Sequence, residues 1–238
     1  MLTQERLTMM AENVARIREN MAAAAREAGR DPADILLCAA CKTRTVEEVI
    51  ASAALPIDLF GENHVQELCA NFDAGAYCGK PSHFIGHLQT NKIKKVLGRA
   101  SLIQSVDSEH LLLAIEKEAA KAGIVQDILL EVNIGGEAAK SGFAPEDIAA
   151  AAETALAMPH VRVRGLMTIP PVAMEPHGNL AYFEKMRWLY VDINAKIYDN
   201  KMEYLSMGMS GDYEDAVRAG ATMVRVGTAI FGARNYTI

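Results

Sequence analysis

Lys42 follows an apolar run, 35–41, in which alternate residues share a face. Cys38, Ala40 and Lys42 therefore point one way, and Ala39 and Cys41 the other. Small neighbours on the lysine's face leave room for a ligand. Burial of such an amine would disfavour its charged form, the condition a Schiff-base lysine needs. A solvated lysine at a strand end would have the same local sequence. Arg225 is the second candidate. In Met223-Val224-Arg225-Val226-Gly227-Thr228, Val224 and Val226 suit a helix layer, leaving Met223, Arg225 and Gly227 to face inward. A guanidinium inside a fold is costly unless paired or bound to a ligand, so the alternative is a structural ion pair. The run before it alternates likewise, with Leu205, Met207 and Met209 on one face and Ser206, Gly208 and Ser210 on a small, polar inner face.

Two glycine junctions follow these runs, Ser210-Gly211-Asp212 and Gly227-Thr228-Ala229. Glycine lets a backbone approach a ligand closely, and a helix start offers free N–H groups to an anion. Plain N-capping by Ser210, Asp212 or Thr228 is the alternative. A lysine that can form an imine, a phosphate cradle and an interior arginine together suggest pyridoxal phosphate.

Eight strand-like runs are predicted, at 35–41, 57–60, 83–87, 102–106, 128–132, 161–167, 204–209 and 223–226. Helical patterns at 46–54, 65–72, 91–97, 109–122, 145–157, 180–197 and 212–219 fill most of the gaps. An extra helix precedes them. Leu7, Met10, Val14, Ile17, Met21, Ala24 and Ala28 fall on one face, with Gly29 and Pro32 as stop signals. Strands alternating with helices imply parallel pairing, and eight units imply an α/β (β/α)8 TIM barrel, read as one domain over 1–238. A doubly wound open sheet is the alternative, disfavoured because no G-x-G-x-x-G follows the first strand. In a barrel, function sits where strands end. That selects Lys42, Glu62-Asn63-His64, the segment after His87, Asn133, Met167-Thr168, Ser210-Gly211 and Gly227-Thr228.

Composition narrows the function. The 238 residues are 50% hydrophobic and 23% charged, which excludes a disordered chain. The formal charge of −6 argues against a nucleic-acid partner. The longest clearly apolar run, 35–41, is far short of the ~20 residues a membrane span needs. Glu5 and Arg6 stand where a signal peptide would be apolar. Four cysteines do not make a disulfide framework, so a reduced, cytoplasmic protein is expected. Cys38 and Cys41 lie on opposite strand faces roughly 10 Å apart, which reads as packing. His83 and His87 are separated by about 13 Å of strand and cannot share a metal. Lys92, Lys94, Lys95 and Arg99 form a basic cluster, either a solvated face or a contact for an anionic partner.

The motifs CKTRTVEEV, FGENHVQEL, HFIGHLQTNKIKKV, LLEVNIGGEAAKSGF, GLMTIPP, SMGMSGDYEDAV and GATMVRVGTAIFGAR closely resemble the pyridoxal phosphate homeostasis proteins, from about residue 3 to 236. The resemblance implies the fold of the alanine racemase N-terminal domain, PLP fold type III, with pyridoxal 5'-phosphate (PLP) as a Schiff base on Lys42. It implies Arg225 at the pyridine nitrogen, and Ser210, Gly211, Gly227 and Thr228 at the phosphate. It sets Asn63, Met167 and Ser206 near the cofactor. Three positions depart from the family pattern, His64, Ser82 and Gln104, and these are expected to bear on surface and partner contacts. The implied function is a carrier or regulator in vitamin B6 and amino-acid balance, without robust catalysis. It would act as a monomer in the cytoplasm, with PLP-dependent apoenzymes as candidate partners. An amino-acid racemase is the alternative. That chemistry needs a proton donor on each face of the substrate α-carbon. The sequence ends twelve residues after the eighth strand, and Tyr213 and Tyr236 are the substitutes considered for a racemase's opposing tyrosine.

Overall fold

The computed structural model describes residues 2–137 and 139–233. Eight parallel strands close into a barrel in sequence order: β1 (Leu36–Ala40), β2 (Leu59–Glu62), β3 (Ser82–Phe84), β4 (Leu102–Val106), β5 (Gln126–Val132), β6 (Val161–Thr168), β7 (Tyr204–Ser206) and β8 (Met223–Val226). The seam is closed by β8 against β1, with Cys38 beside Arg225 and Ala39 beside Val226. Helices alternate with the strands: α1 (Gln4–Glu27), α2 (Val46–Ser52), α3 (Val65–Asp73), α4 (Ile93–Val96), α5 (Glu109–Ala122), α6 (Ile148–Leu156), α7 (Leu180–Lys196), α8 (Tyr213–Arg218) and α9 (Thr228–Phe231).

The expected extra helix is α1. Its N-cap is Thr3, whose hydroxyl accepts from the Arg6 N–H, and its buried stripe is Met10, Val14, Ile17, Met21, Ala24 and Ala25. Gly29, at φ +67°, ends it in the left-handed region. The stripe packs against α8 and α9, across the β8–β1 seam. The main core lies between strands and helices, where Leu37, Ala39, Phe60, Val224 and Val226 point outward. Smaller apolar clusters fill the barrel itself: Cys38, Leu59 and Met223 on one side, and Leu102, Leu129 and Met167 on the other.

The differences from the sequence reading lie at element ends. The region 91–97 is a 3-10 turn, Thr90–Lys92, followed by the single turn of α4. The helix expected from residue 145 begins at Ile148. The strand expected over 83–87 stops at Phe84, so His87 lies in the following loop. The strand expected over 204–209 stops at Ser206. Gly208 takes φ +90°, and a Cβ there would lie 2.5 Å from the Ala216 Cβ on α8. Gly208 therefore faces the helix layer rather than the interior. The inversion at Gly208 also turns Met209 toward the barrel mouth.

Gly165 is the closest backbone contact in the barrel wall. A Cβ at this position would fall 1.7 Å from the Tyr204 carbonyl oxygen on β7. Backbone on both sides cannot yield as a side-chain end would. Gly165→Ala is expected to cost about 1–3 kcal/mol, read as a lower denaturation midpoint with unchanged slope.

Candidate functional site

A cleft of about 290 Å³ opens at the carboxyl ends of the strands. Its lining is Ala40, Lys42, Asn63, Ile85, Ile169, Met209, Ser210, Gly211, Arg225, Gly227 and Thr228. Seven of the nine expected site residues are thus brought together. Met167 and Ser206 are not on the lining; both are fully buried beneath it. Lys42 and Arg225 are the titratable side chains of the lining.

Arg225 is 4% exposed. Its Nη1 donates to Ser206 Oγ at 2.7 Å and its Nη2 to the Thr168 carbonyl at 2.9 Å. Among the described residues no carboxylate lies within ion-pair distance of it. The structural ion pair weighed against a ligand role is therefore absent there. Burial pulls the guanidinium below its ordinary value, while Cys38, Glu131 and Asp212 act against that. Glu131, on β5, is itself pushed up to about 7 by burial, with Asp107 adding and Arg225 and His87 opposing.

Behind Arg225 runs a directed hydrogen-bond chain. Ser206 Oγ accepts from Arg225, so its own proton goes to Gln104 Oε1 at 2.7 Å. Gln104 Nε2 then donates to His83 Nδ1 at 2.9 Å. That last step requires neutral His83 with its proton on Nε2. Burial enforces this state by pushing the imidazole down to about 3. The sequence reading missed Gln104 and His83 as part of the site. The departures at Ser82 and Gln104, expected at the surface, are both buried. The available signal was phase, since Gln104 alternates with inward Leu102.

At the opposite end of the cleft, Ser210 Oγ accepts from the Gly227 N–H at 3.3 Å and the Ala229 N–H at 3.2 Å. Ser210 thus ties the β7 end to the start of α9. Asp212 precedes α8 without capping it by its side chain, and accepts instead from the Met209 N–H at 2.7 Å. A Cβ at Gly227 would stand 3.1 Å from the Ala40 carbonyl, so the glycine lets β8 sit against β1 at the mouth.

The other strand-end residues do different work. Glu62 points away from the cleft into α3. His64 is exposed at the N-cap of α3. His87 is exposed and its Nδ1 lies 3.1 Å from Asp107 Oδ2. Asn133 donates to the Glu137 and Lys140 carbonyls and braces its own loop. In the basic cluster, Lys94 pairs with Glu118 and Arg99 with Asp73, away from the cleft. The Tyr213 hydroxyl meets Asn20 on α1, outside the barrel. Tyr236 and Arg234 lie outside the described residues. No helix among the described residues is long and apolar enough to cross a membrane.

Comparison with known proteins places this site in context. Residues 13–235 match the family model for the alanine racemase N-terminal domain. The chain is 41% identical to the pyridoxal phosphate homeostasis protein of Aquifex aeolicus, across 94% of this chain and 98% of that one. It is 38% identical to the pyridoxal phosphate homeostasis protein of Pseudomonas aeruginosa, across 97% and 98%. Among solved structures it is similar to PipY of Synechococcus elongatus with PLP bound. That match has a TM-score of 0.79 and 29% identity, over 94% of this chain and 100% of that one.

The chain behind Arg225 yields a prediction. Gln104→Leu keeps the volume but leaves the Ser206 hydroxyl and His83 Nδ1 without their partner. It should destabilise the fold by about 1–3 kcal/mol in chemical denaturation. Adding Ser206→Ala to it should cost less than the sum of the two single changes, because the residues act in one network.

Proposed function

The chain belongs to the family of pyridoxal phosphate homeostasis proteins, and on that premise we propose that it binds pyridoxal 5'-phosphate at the barrel mouth, with Lys42 as its covalent anchor. The carrying observation is the lining of the cleft. It offers one amine, one buried guanidinium without a carboxylate partner among the described residues, and backbone N–H groups at the start of α9. These fit an aldehyde, a ring nitrogen and a phosphate respectively. When bound, the cofactor supplies an aldehyde that condenses with a primary amine and loses water. Lys42 supplies that amine from the end of β1. Ser210, Gly211, Gly227 and Thr228 form the phosphate end, Ser210 ceding the two N–H groups it now accepts from. Asn63 flanks the ring. Met167 and Ser206 support it from below, Ser206 by orienting Arg225.

We read the protein as a carrier rather than a catalyst. A guanidinium has donors only, so Arg225 can hydrogen-bond a ring nitrogen without becoming its base. An unprotonated ring is a weaker electron sink. A racemase also needs a second proton donor facing Lys42. The described lining contains no His, Tyr, Asp or Glu to serve. On this reading it is a single-domain monomer that hands its cargo to apoenzymes. Four free thiols suit the cytoplasm.

Borohydride reduction of protein incubated with PLP should fix the label on Lys42. Lys42→Ala should lose the covalent link and keep a weaker, phosphate-dependent complex. Label found solely on another lysine would overturn the assignment. Racemisation of alanine or serine, assayed by chiral separation, should stay below ~1 per second, the low end of the enzyme range. Faster turnover that disappears in Lys42→Ala would replace the carrier with the racemase.

A further inference from the structure

Two carboxyl groups lie behind the turn that carries Lys42, and the cleft does not use them. Glu62 ends β2 with its side chain outward and 0% exposed. Its Oε1 accepts from Asn71 Nδ2 at 2.8 Å and from the Tyr77 hydroxyl at 3.2 Å. Its Oε2 has no partner. Glu67, in the first turn of α3, accepts from the Thr43 N–H through Oε1 at 3.1 Å. Its Oε2 is also buried without a partner. These are the two buried side-chain polar atoms left unsatisfied among the described residues. Glu67 and Asn71 are four residues apart and share one face of α3. Since Asn71 reaches Glu62, Glu67 faces it as well.

We propose that Glu62 carries a proton shared with Glu67 as an acid–carboxylate pair, and that this pair positions Lys42 through the Thr43 N–H. Both orphan oxygens are acceptors when ionised, and neither can satisfy the other. One proton resolves both, because the Glu62 O–H donates to Glu67. It also removes one of two like charges from a buried site. The proton belongs on Glu62, the fully buried member. Burial pushes that carboxyl up to about 7, with Glu67 adding and the Asn71 and Tyr77 hydrogen bonds opposing. The other ionisable groups around the pair are the Cys38 and Cys41 thiols and Arg44 toward β1, and Tyr77 beyond α3.

The link to Lys42 is one residue long. Thr43 adopts φ +65°, a left-handed conformation that costs a residue with a branched Cβ. Two hydrogen bonds hold the turn: Arg44 N–H to the Cys41 carbonyl at 2.9 Å, and Thr43 N–H to Glu67. Lys42 lies between them, and its amine reaches the cleft from this turn. The sign of the pH effect follows. Below about 7 the pair keeps its proton. As pH rises through that value Glu62 ionises, the two carboxylates repel, and the Thr43 anchor loosens. Glu62→Gln retains a neutral donor to Glu67 at every pH.

The PLP part of this inference rests on the function proposed above, so the test has an arm free of cofactor. At pH 6, the infrared difference between unloaded wild type and Glu62→Gln should contain a protonated-carboxyl band from Glu62, the buried Glu131 contributing equally to both. Thr43 amide exchange, corrected for intrinsic rate, should quicken above pH 7 in wild type and in Glu67→Ala at every pH, but not in Glu62→Gln. Borohydride trapping of PLP at Lys42, referenced to Glu62→Gln at each pH, should fall about threefold or more between pH 6 and 8.5. Glu67→Ala should trap about tenfold less throughout. Circular dichroism confirms that each variant is folded. No carboxyl band in that difference, or identical Thr43 exchange profiles for wild type and Glu62→Gln, would overturn the pair. Failure of wild type to trap PLP at Lys42 at any pH, with band and exchange as expected, would instead overturn the function and leave the pair standing.

Discussion

A buried guanidinium without a carboxylate partner among the described residues is the constraint to which the barrel interior answers. Removing an ion from water costs several kcal/mol unless its donors are met. Arg225 meets part of that need with a hydroxyl and a backbone carbonyl. The hydroxyl can accept only because its own proton goes on to Gln104, and Gln104 can accept it only while turned toward His83. The middle of the barrel is thus polar in a sheet otherwise packed with aliphatic side chains. The small residues above it, Ala40 and Gly227, leave the space above the guanidinium open as the cleft.

Each functional group at the mouth is held in place by neighbouring residues. Ser210 joins the end of β7 to the first turn of α9. The turn bearing Lys42 is strained at Thr43 and anchored from α3. Gly86 allows the backbone of Asn63 to sit where any Cβ would collide, 2.1 Å from its carbonyl oxygen. The groups are preorganised, yet no second acid or base stands among the described lining residues to move a substrate proton. That combination supports the carrier reading proposed above, in which a small phosphorylated aldehyde is retained rather than used in turnover.

Period and phase made most of this legible in the sequence. The alternation in 223–226 put Arg225 inside, where regular pleating of β8 holds it, whereas Lys42 reaches the cleft from the turn that follows the end of β1 at Ala40. Phase failed at Gly208, since a positive φ there ends β7 and inverts the side chains that follow. Gln104 and Ser82 are expected at the surface only as departures from the family pattern; phase with Leu102 already sets Gln104 inward, and both strands are buried on both faces. Glu62 shows a subtler limit. Its place at a strand end marked it for the cleft, but its parity with Phe60 turns it outward, beneath α3. Which polar groups find each other across strands, as Arg225, Ser206, Gln104 and His83 do, depends on barrel register. No local pattern in one sequence encodes that.

The most direct test of the central claim, a cation that faces the ring nitrogen and leaves it unprotonated, is nitrogen-15 NMR of ring-labelled PLP bound to the full-length protein. An unprotonated, hydrogen-bonded ring nitrogen, with a shift that moves in Arg225→Gln, is the predicted result. A pyridinium shift in wild type, unaffected by Arg225→Gln, would contradict the account.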